Sequence, residues 1–575
     1  LQLGNGKQVW TREISDLYTG GTFAVKGDSL VYHSAAGVTC LDSNTGEPRW
    51  TKPVELASIP PGEAGTPAKE SRRGRKKGAV DPSAYSANLH PTLVLTDDKL
   101  FCAVGKTMIA WNLSDGEVLW TDTGLANYMK SSDLFVADGL VWNRDLKGRD
   151  PETGEIVRSL GQEMTGPMSH DRCYRNRITH RFYLNSASGG SDFVMLDGKA
   201  EIPNPWVRST CGLAAMPANG MLYNAPYVCQ CAIGTMVTGV NGLYNGTGNS
   251  EKRFTVKIEP RLEKGPAFGP AEGPGVTEED WPTFRSSSER SGVSLSTTPR
   301  ELATKWKVEI GSHLTAPVVA LDTVYVADRD GYILHALNRE SGATRWTFTA
   351  DGRIDSPPTY HRGMVLVGSR GGSVYYLRAS DGELAWKFNG LPEQRLICDT
   401  GRLESAWPVH GSIMIHENTA YFAAGRSTFL DGGIAVFGLD VETGEMKHGR
   451  MIQGPYQDET GSFPVEASGQ FQLEGFKADI FSRAGDQLFV RNQAFTPDLE
   501  PVPAKRVKTL HLLASPGFLN DSPQHRTYWT VDRDLRYGGA MGKFGSGPAG
   551  DTIAFDGKVF YEVRGYAPGR NLPGR

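Results

Sequence analysis

Three tryptophans, Trp306, Trp346 and Trp386, stand 40 residues apart, and the text between them is one phrase written twice. The first copy runs Ala316-Pro317, Val324-Tyr325-Val326-Ala327-Asp328-Arg329-Asp330-Gly331, Ala336-Leu337-Asn338, Ser341-Gly342, Trp346. The second runs Ser356-Pro357, Val365-Leu366-Val367-Gly368-Ser369-Arg370-Gly371-Gly372, Tyr376-Leu377-Arg378, Asp381-Gly382, Trp386. A fixed period of this size belongs to solenoids, propellers and arrays, in which each repeat buries its apolar face only by stacking on its neighbours. Short Val/Ile/Leu/Tyr runs alternate with Gly, Asp and Asn turns, and no window has the periodicity of a long amphipathic helix, so the expectation is all-β.

The end of the phrase recurs elsewhere. Asp42-Ser43-Asn44-Thr45-Gly46 leads to Trp50, and Asn112-Leu113-Ser114-Asp115-Gly116 leads to Trp120. Asp150-Pro151-Glu152-Thr153-Gly154 and Asp440-Val441-Glu442-Thr443-Gly444 keep the turn, but Arg158 and His448 stand where the tryptophan would be. An Asp or Asn side chain can accept from the amides just ahead of it, and glycine supplies the positive φ that closes the turn. The indole then offers a broad apolar plate to the next sheet.

These residues resemble the pyrroloquinoline-quinone-type (PQQ-like) repeat with its tryptophan-docking motif. That repeat is shared by quinoprotein dehydrogenases and by non-enzymatic scaffold propellers of outer-membrane assembly. The resemblance implies a β-propeller of four-stranded blades. Its boundaries in the chain are read as blades over 1–256, a Pro/Gly-rich linker over 257–280 (Pro260, Pro266, Pro270 and Pro274 among glycines), and a second set of blades over 281–575. Two tandem rings are preferred, with one ring of about eight large blades as the alternative. Asp280-Trp281-Pro282-Thr283-Phe284-Arg285 and Arg290-Ser291-Gly292 resemble the segment that opens many propellers of this family. Gly6 to Trp10 is the end of a repeat, so the N-terminus and any targeting signal are expected upstream of Leu1, in an exported or periplasmic protein.

Composition narrows the function classes. A formal net charge of −4 over 575 residues gives no electrostatic case for nucleic acid. No apolar run approaches the roughly 18 residues needed to cross a membrane. Residues 54–86 form an insertion with the basic run Arg72-Arg73-Gly74-Arg75-Lys76-Lys77, expected to be a solvated loop or a site for an anionic partner.

Between 165 and 235 the repeat degenerates, and four of the seven cysteines fall there: Cys173, Cys211, Cys229 and Cys231, with His170 close to the first. Three readings stay open. The cysteines form two disulfides, as suits an exported protein; they bind Zn²⁺ or Cu(I) together with His170; or they are buried thiols. The two sulfurs of a Cys-x-Cys on one strand lie too far apart to bridge each other, so Cys229 and Cys231 need separate partners or one shared ion. Cys173, Cys211, Cys229 and Cys231 are expected to be mutually close. Cys40 and Cys102 sit in strand phrases as small core residues. The passage also resembles part of large planctomycete-type bacterial propeller proteins, a likeness that carries no activity with it.

In the dehydrogenase branch the family holds its quinone under a vicinal Cys-Cys ring, with Ca²⁺ bound by Glu, Asn and Asp. No Cys-Cys pair and no Cys-x-x-Cys-His occurs in this sequence, so the quinone is not expected. Two polar clusters remain as ligand-binding candidates for the loops at the channel mouth: Arg402, Glu404, Trp407 and His410, and then Asp521, His525, Arg526 and Trp529. The functional expectation is a binding or scaffolding module for a protein partner or a polar or carbohydrate ligand. The alternative is a quinone- or metal-dependent oxidoreductase, or a carbohydrate-active enzyme, working at the channel mouth.

Overall fold

The structure is a computed structural model that describes residues 6–14, 23–34, 36–54, 91–125, 133–161, 175–186, 190–202, 204, 207, 209, 213–224, 237, 239–244, 256–297, 299–392, 395–399, 401–453, 476–503, 506–514, 517–519, 529–532, 549–550 and 552–563. No α-helix occurs among the described residues. The chain divides into two compact units, one built mainly of Leu1–Tyr227 with Thr238–Tyr244 and the other mainly of Asn245–Arg575.

In the first unit, successive antiparallel sheets run from Phe23–Lys26 to Pro48–Lys52, Thr92–Leu95 to Val118–Thr123, Leu134–Ala137 to Ile156–Ser159 and Arg177–Ile178 to Glu201–Ile202, each with four strands in sequence order. Met216–Ala218, Met221–Asn224 and Asn241–Tyr244 form a three-stranded sheet after them. The second unit repeats the pattern. Sheet I comprises Val318–Ala320, Thr323–Asp328, Ile333–Asn338 and Thr344–Thr349; sheet II comprises Thr359–His361, Met364–Gly368, Val374–Arg378 and Leu384–Asn389. Sheet III comprises Met414–His416, Thr419–Ala424, Ile434–Asp440 and Met446–Ile452; sheet IV comprises Phe481–Ala484, Gln487–Val490, Gln493–Phe495 and Pro501–Val502. These are β-propeller blades: each is an up-and-down meander, and the apolar residues of one face pack against the next.

The turn chemistry follows the sequence. Asn338 Oδ1 accepts from the amides of Glu340 and Ser341, both at 2.9 Å, and Gly342 takes φ +72°. The tryptophans then join neighbouring sheets. The Nε1–H of Trp50 donates to Leu113 O at 2.9 Å, that of Trp120 to Pro151 O at 3.0 Å, that of Trp346 to Ala379 O at 2.9 Å and that of Trp386 to Val441 O at 3.1 Å. Trp10 and Trp306 do the same toward Ser43 O and Arg339 O, each at 2.9 Å. Between sheets II and III the core is dense, with Tyr376, Trp386, Phe388, Phe422 and Phe437 at 3% exposure or less.

Two connecting segments are built into the second unit. Arg261–Lys264, inside the stretch whose composition reads as a linker, pairs with Leu384–Asn389 as a fifth strand of sheet II. Residues 281–292 cross the first strands of several sheets: Trp281 pairs with Val319, Tyr360 N donates to Pro282 O at 2.8 Å, Arg483 N to Ser288 O at 2.9 Å and Phe555 N to Ser291 O at 3.0 Å. Arg290 locks this brace. It is 0% exposed, and its guanidinium donates to Phe481 O at 2.9 Å, Phe284 O at 3.1 Å and Thr283 Oγ1 at 3.0 Å. Burial without a contacting carboxylate lowers its pKa to about 10.

Candidate functional site

In an up-and-down sheet, the turn between the second and third strands lies at the same end as the connection from the fourth strand to the next sheet. In the second unit these loops carry a group of paired charges. Sheet I supplies Arg329, Asp330 and Tyr332 from its second turn. Sheet II supplies Arg370 from its second turn and Arg353 and Asp355 from the loop that enters it. The connection from sheet II to sheet III folds into a hairpin of its own, Leu396–Asp399 paired with Arg402–Ser405, before it reaches Trp407 and His410.

Pairing puts alternate residues on opposite faces of that hairpin. Ile397, Asp399, Arg402 and Glu404 share one face, and this face is fastened down. Glu404 is 4% exposed; one of its oxygens takes Arg353 Nε, and the other takes Arg370 Nη1 at 2.6 Å. Arg370 also contacts Asp399 and Asp355, and Arg353 Nη2 stands 3.7 Å from Asp399. At the hairpin's turn, Arg402 Nη1 donates to Asp330 O at 2.9 Å, and Arg402 Nη2 stands 3.2 Å from the Asp330 carboxylate, which also holds His313 Nδ1 at 2.5 Å. Leu396, Cys398 and Leu403 lie on the other face, with Leu396 and Leu403 57% and 71% exposed.

Beneath the hairpin, Arg370 continues to Asp355, which has Arg329 Nη2 at 3.4 Å and His410 Nδ1 at 3.5 Å. Burial alone would raise the Asp355 carboxyl, but His410 and Arg370 outweigh it and hold the group well below the usual carboxylate range. Burial would likewise lower Arg370, and Asp355, Glu404 and Asp399 reverse the shift and raise it. Asp479, 6% exposed at the entry to sheet IV, accepts from Phe518 N at 3.0 Å and stands 3.6 Å from Arg491; burial pushes its pKa up. The arrangement is a charge-compensated network linking an exposed hairpin to the loops beneath it.

The structure brings Arg402, Glu404 and His410 into this one network. Trp407 is separate: it is 1% exposed inside the core, and its Nε1–H donates to Asp431 O at 2.9 Å. Trp529 packs 5.4 Å from Phe518 and has Arg285 over its ring at 4.7 Å. The Trp407 indole is therefore no stacking platform for a sugar. Asp521, His525, Arg526, His170, Cys173, Cys211, Cys229 and Cys231 lie outside the described residues. Among the described residues Cys40 and Cys102 are buried free thiols, Cys398 is an exposed one, and no three His, Cys, Asp or Glu side chains converge as metal ligands. Sequence reading missed Arg329, Asp330, Arg353, Asp355 and Arg370, which belong to the regular repeat. The signal was there: Arg329 and Arg370 occupy the same turn position of both copies, where chain reversal needs no arginine.

Four-stranded sheets with this turn and this tryptophan contact define a PQQ-like β-propeller repeat protein. Residues 285–492 match the family described as outer membrane protein assembly factor BamB. The assembly factors BamB of Escherichia coli (strain K12) and of Shigella dysenteriae serotype 1 (strain Sd197) are each 33% identical over 100 residues, 15% of this chain and 25% of either protein. The chain therefore spans about a quarter of the length of these relatives. Among solved structures, BamB from Moraxella catarrhalis is 14% identical, with 63% of this chain and 80% of that one covered and a TM-score of 0.23. The quinohemoprotein alcohol dehydrogenase ADHIIG from Pseudomonas putida HK5 is also 14% identical, with 44% and 45% covered and a TM-score of 0.28. No helix among the described residues is long and apolar enough to cross a membrane.

Proposed function

We propose that this chain is an exported, periplasmic binding or scaffolding module that holds a protein partner on the loop face of its second unit. The hairpin 396–405 carries the reading. One of its faces is fixed by buried ion pairs, and the other holds Leu396 and Leu403 at 57% and 71% exposure. Apolar side chains on a held element suit a protein interface, where anchoring residues gain most when their own ordering has already been met. The charges around it are mutually paired, which fits a surface that positions a partner. The match of 285–492 to a family described as an outer membrane protein assembly factor supports the same role and an exported location.

The test compares the wild type with Leu396→Ser/Leu403→Ser as bait in envelope extracts of the source cells, with a photo-crosslinking residue at position 398 to mark the contact. The double variant should keep its unfolding midpoint and lose at least tenfold of the crosslinked partner. Equal crosslinking by both proteins would exclude the hairpin as the docking element.

A further inference from the structure

The hairpin's carboxylates occupy a site that belongs to the sheets. Arg353 and Arg370 come from the two loops at one end of sheet II, and Arg329 comes from the neighbouring turn of sheet I. Of the sheet acids near them, Asp355 takes Arg329 and Arg370, while Asp351 is engaged by Ser369 Oγ, by Ser373 Oγ at 2.6 Å and by Lys387 at 3.7 Å. The remaining compensation for these guanidiniums comes from Asp399 and Glu404, both on the hairpin. Glu404 is gripped by two arginines, one on each oxygen, so both of its oxygens accept charge-assisted hydrogen bonds. Without the hairpin, Arg353 and Arg370 would lose both hairpin carboxylates, and Asp355 would remain against Arg329 and Arg370.

We propose that Arg353 and Arg370, with Arg329 beside them, form a binding site for a segment bearing paired carboxylates, and that Asp399 and Glu404 fill it as an internal pseudo-ligand. An acidic peptide segment of a second protein is the matching ligand, because carboxylates on alternate residues of an extended chain lie about 7 Å apart on one face, as Asp399 and Glu404 share one face of the hairpin from its two strands. The hairpin then works as an autoinhibitory strap. A ligand must displace it, and displacement exposes Asp355 and His410 beneath. This goes beyond apolar docking on the hairpin's outer face and does not need it, since here the hairpin is the competitor and not the contact.

The test uses fluorescein-labelled hexaglutamate as probe and inorganic phosphate as competitor, with the whole chain. Asp399→Asn/Glu404→Gln should bind the peptide at least tenfold more tightly than the wild type, with affinity falling as salt rises. Adding Arg370→Gln should abolish the gain. If the charge-stripped hairpin fails to fold, replacing 395–405 by a Gly/Ser linker serves as the second variant. In the wild type, saturating peptide should speed trypsin cleavage at Arg395 and Arg402. No gain in either variant, a gain that survives Arg370→Gln, or phosphate competing as well as unlabelled peptide would each overturn the proposal, the last by showing a generic anion patch.

Discussion

The indole of Trp346 lies against the backbone of Gly382: a Cβ placed on that glycine would sit 2.6 Å from the ring carbon Cε3. Gly382 also has φ +78°, so one position meets two constraints, a left-handed turn and direct contact with the ring of the preceding sheet. The same pairing joins Trp306 to Gly342 and Trp386 to Gly444. It explains why glycine and tryptophan recur together in the repeat. The turn that reverses one hairpin is also the seat for the neighbouring sheet's indole.

Gly382→Ala should therefore cost more than backbone strain alone. A left-handed alanine costs about 1–2 kcal/mol, and displacing the indole adds an overpacking cost of about 1–3 kcal/mol. Gly557 is the control, because it has φ +86° and a Cβ added there would meet nothing within 4 Å, so Gly557→Ala should lose only the first of these. Trp346→Ala should cost about 3–5 kcal/mol. Urea midpoints of the three variants check the ranking, and equal losses for both glycine changes would remove the seat argument.

The wall of the propeller was legible in the sequence because its determinants are local: Asn338 with Gly342, Asp42 with Gly46 and the tryptophan that follows each. The network at the loop face was only half legible. Glu404 and His410 stood out in an irregular stretch, whereas Arg370 and Asp355 sit inside the repeat, where nothing in the sequence marks them. What joins them is a crossing of loops from two sheets and a hairpin, and no sequence spacing encodes that meeting. Trp407 misled for the opposite reason. It falls between Glu404 and His410 in the sequence, but its own side chain packs in the core at 1% exposure.

Arg290 sets a second prediction. Its guanidinium contacts carbonyls and a hydroxyl, so replacement by methionine keeps much of the volume and removes every donor. Leaving several buried acceptors unmet should cost about 2–4 kcal/mol. Arg290→Lys should recover only part of this, since one ammonium cannot span Phe481 O and Phe284 O with the same fork. Hydrogen exchange at Arg483 and Phe555, whose amides bond the 281–292 segment, is the direct readout and should quicken in both variants. Unchanged exchange there would mean the segment holds without its arginine.

The pH dependence of the second unit should show two separate acid steps. His511 is buried, stacks on Phe489 at 3.7 Å between ring centres and donates from Nε2 to Arg491 O at 2.7 Å. Burial lowers its pKa from 6.5 to about 4, so the unfolded chain binds the extra proton first as pH falls. Its contribution is complete above about pH 6.5 and is lost between there and about pH 4, at up to roughly 1.4 kcal/mol per pH unit. Asp355 acts lower. Its carboxyl is held well below the ordinary aspartate value of 3.8, so its contribution is present above that value and drains away as pH drops further toward the folded-state pKa. His511→Gln should reduce the stability lost between pH 6.5 and 4, the rest coming from His335 and His361, which burial also lowers, while leaving the lower step, and Asp355→Asn should lower stability at neutral pH by about 3 kcal/mol and shrink the lower step. Urea unfolding at pH 7, 5, 4 and 2.5, followed by fluorescence, separates the two; a wild type equally stable at pH 7 and 5 would show that His511 does not stay neutral on folding.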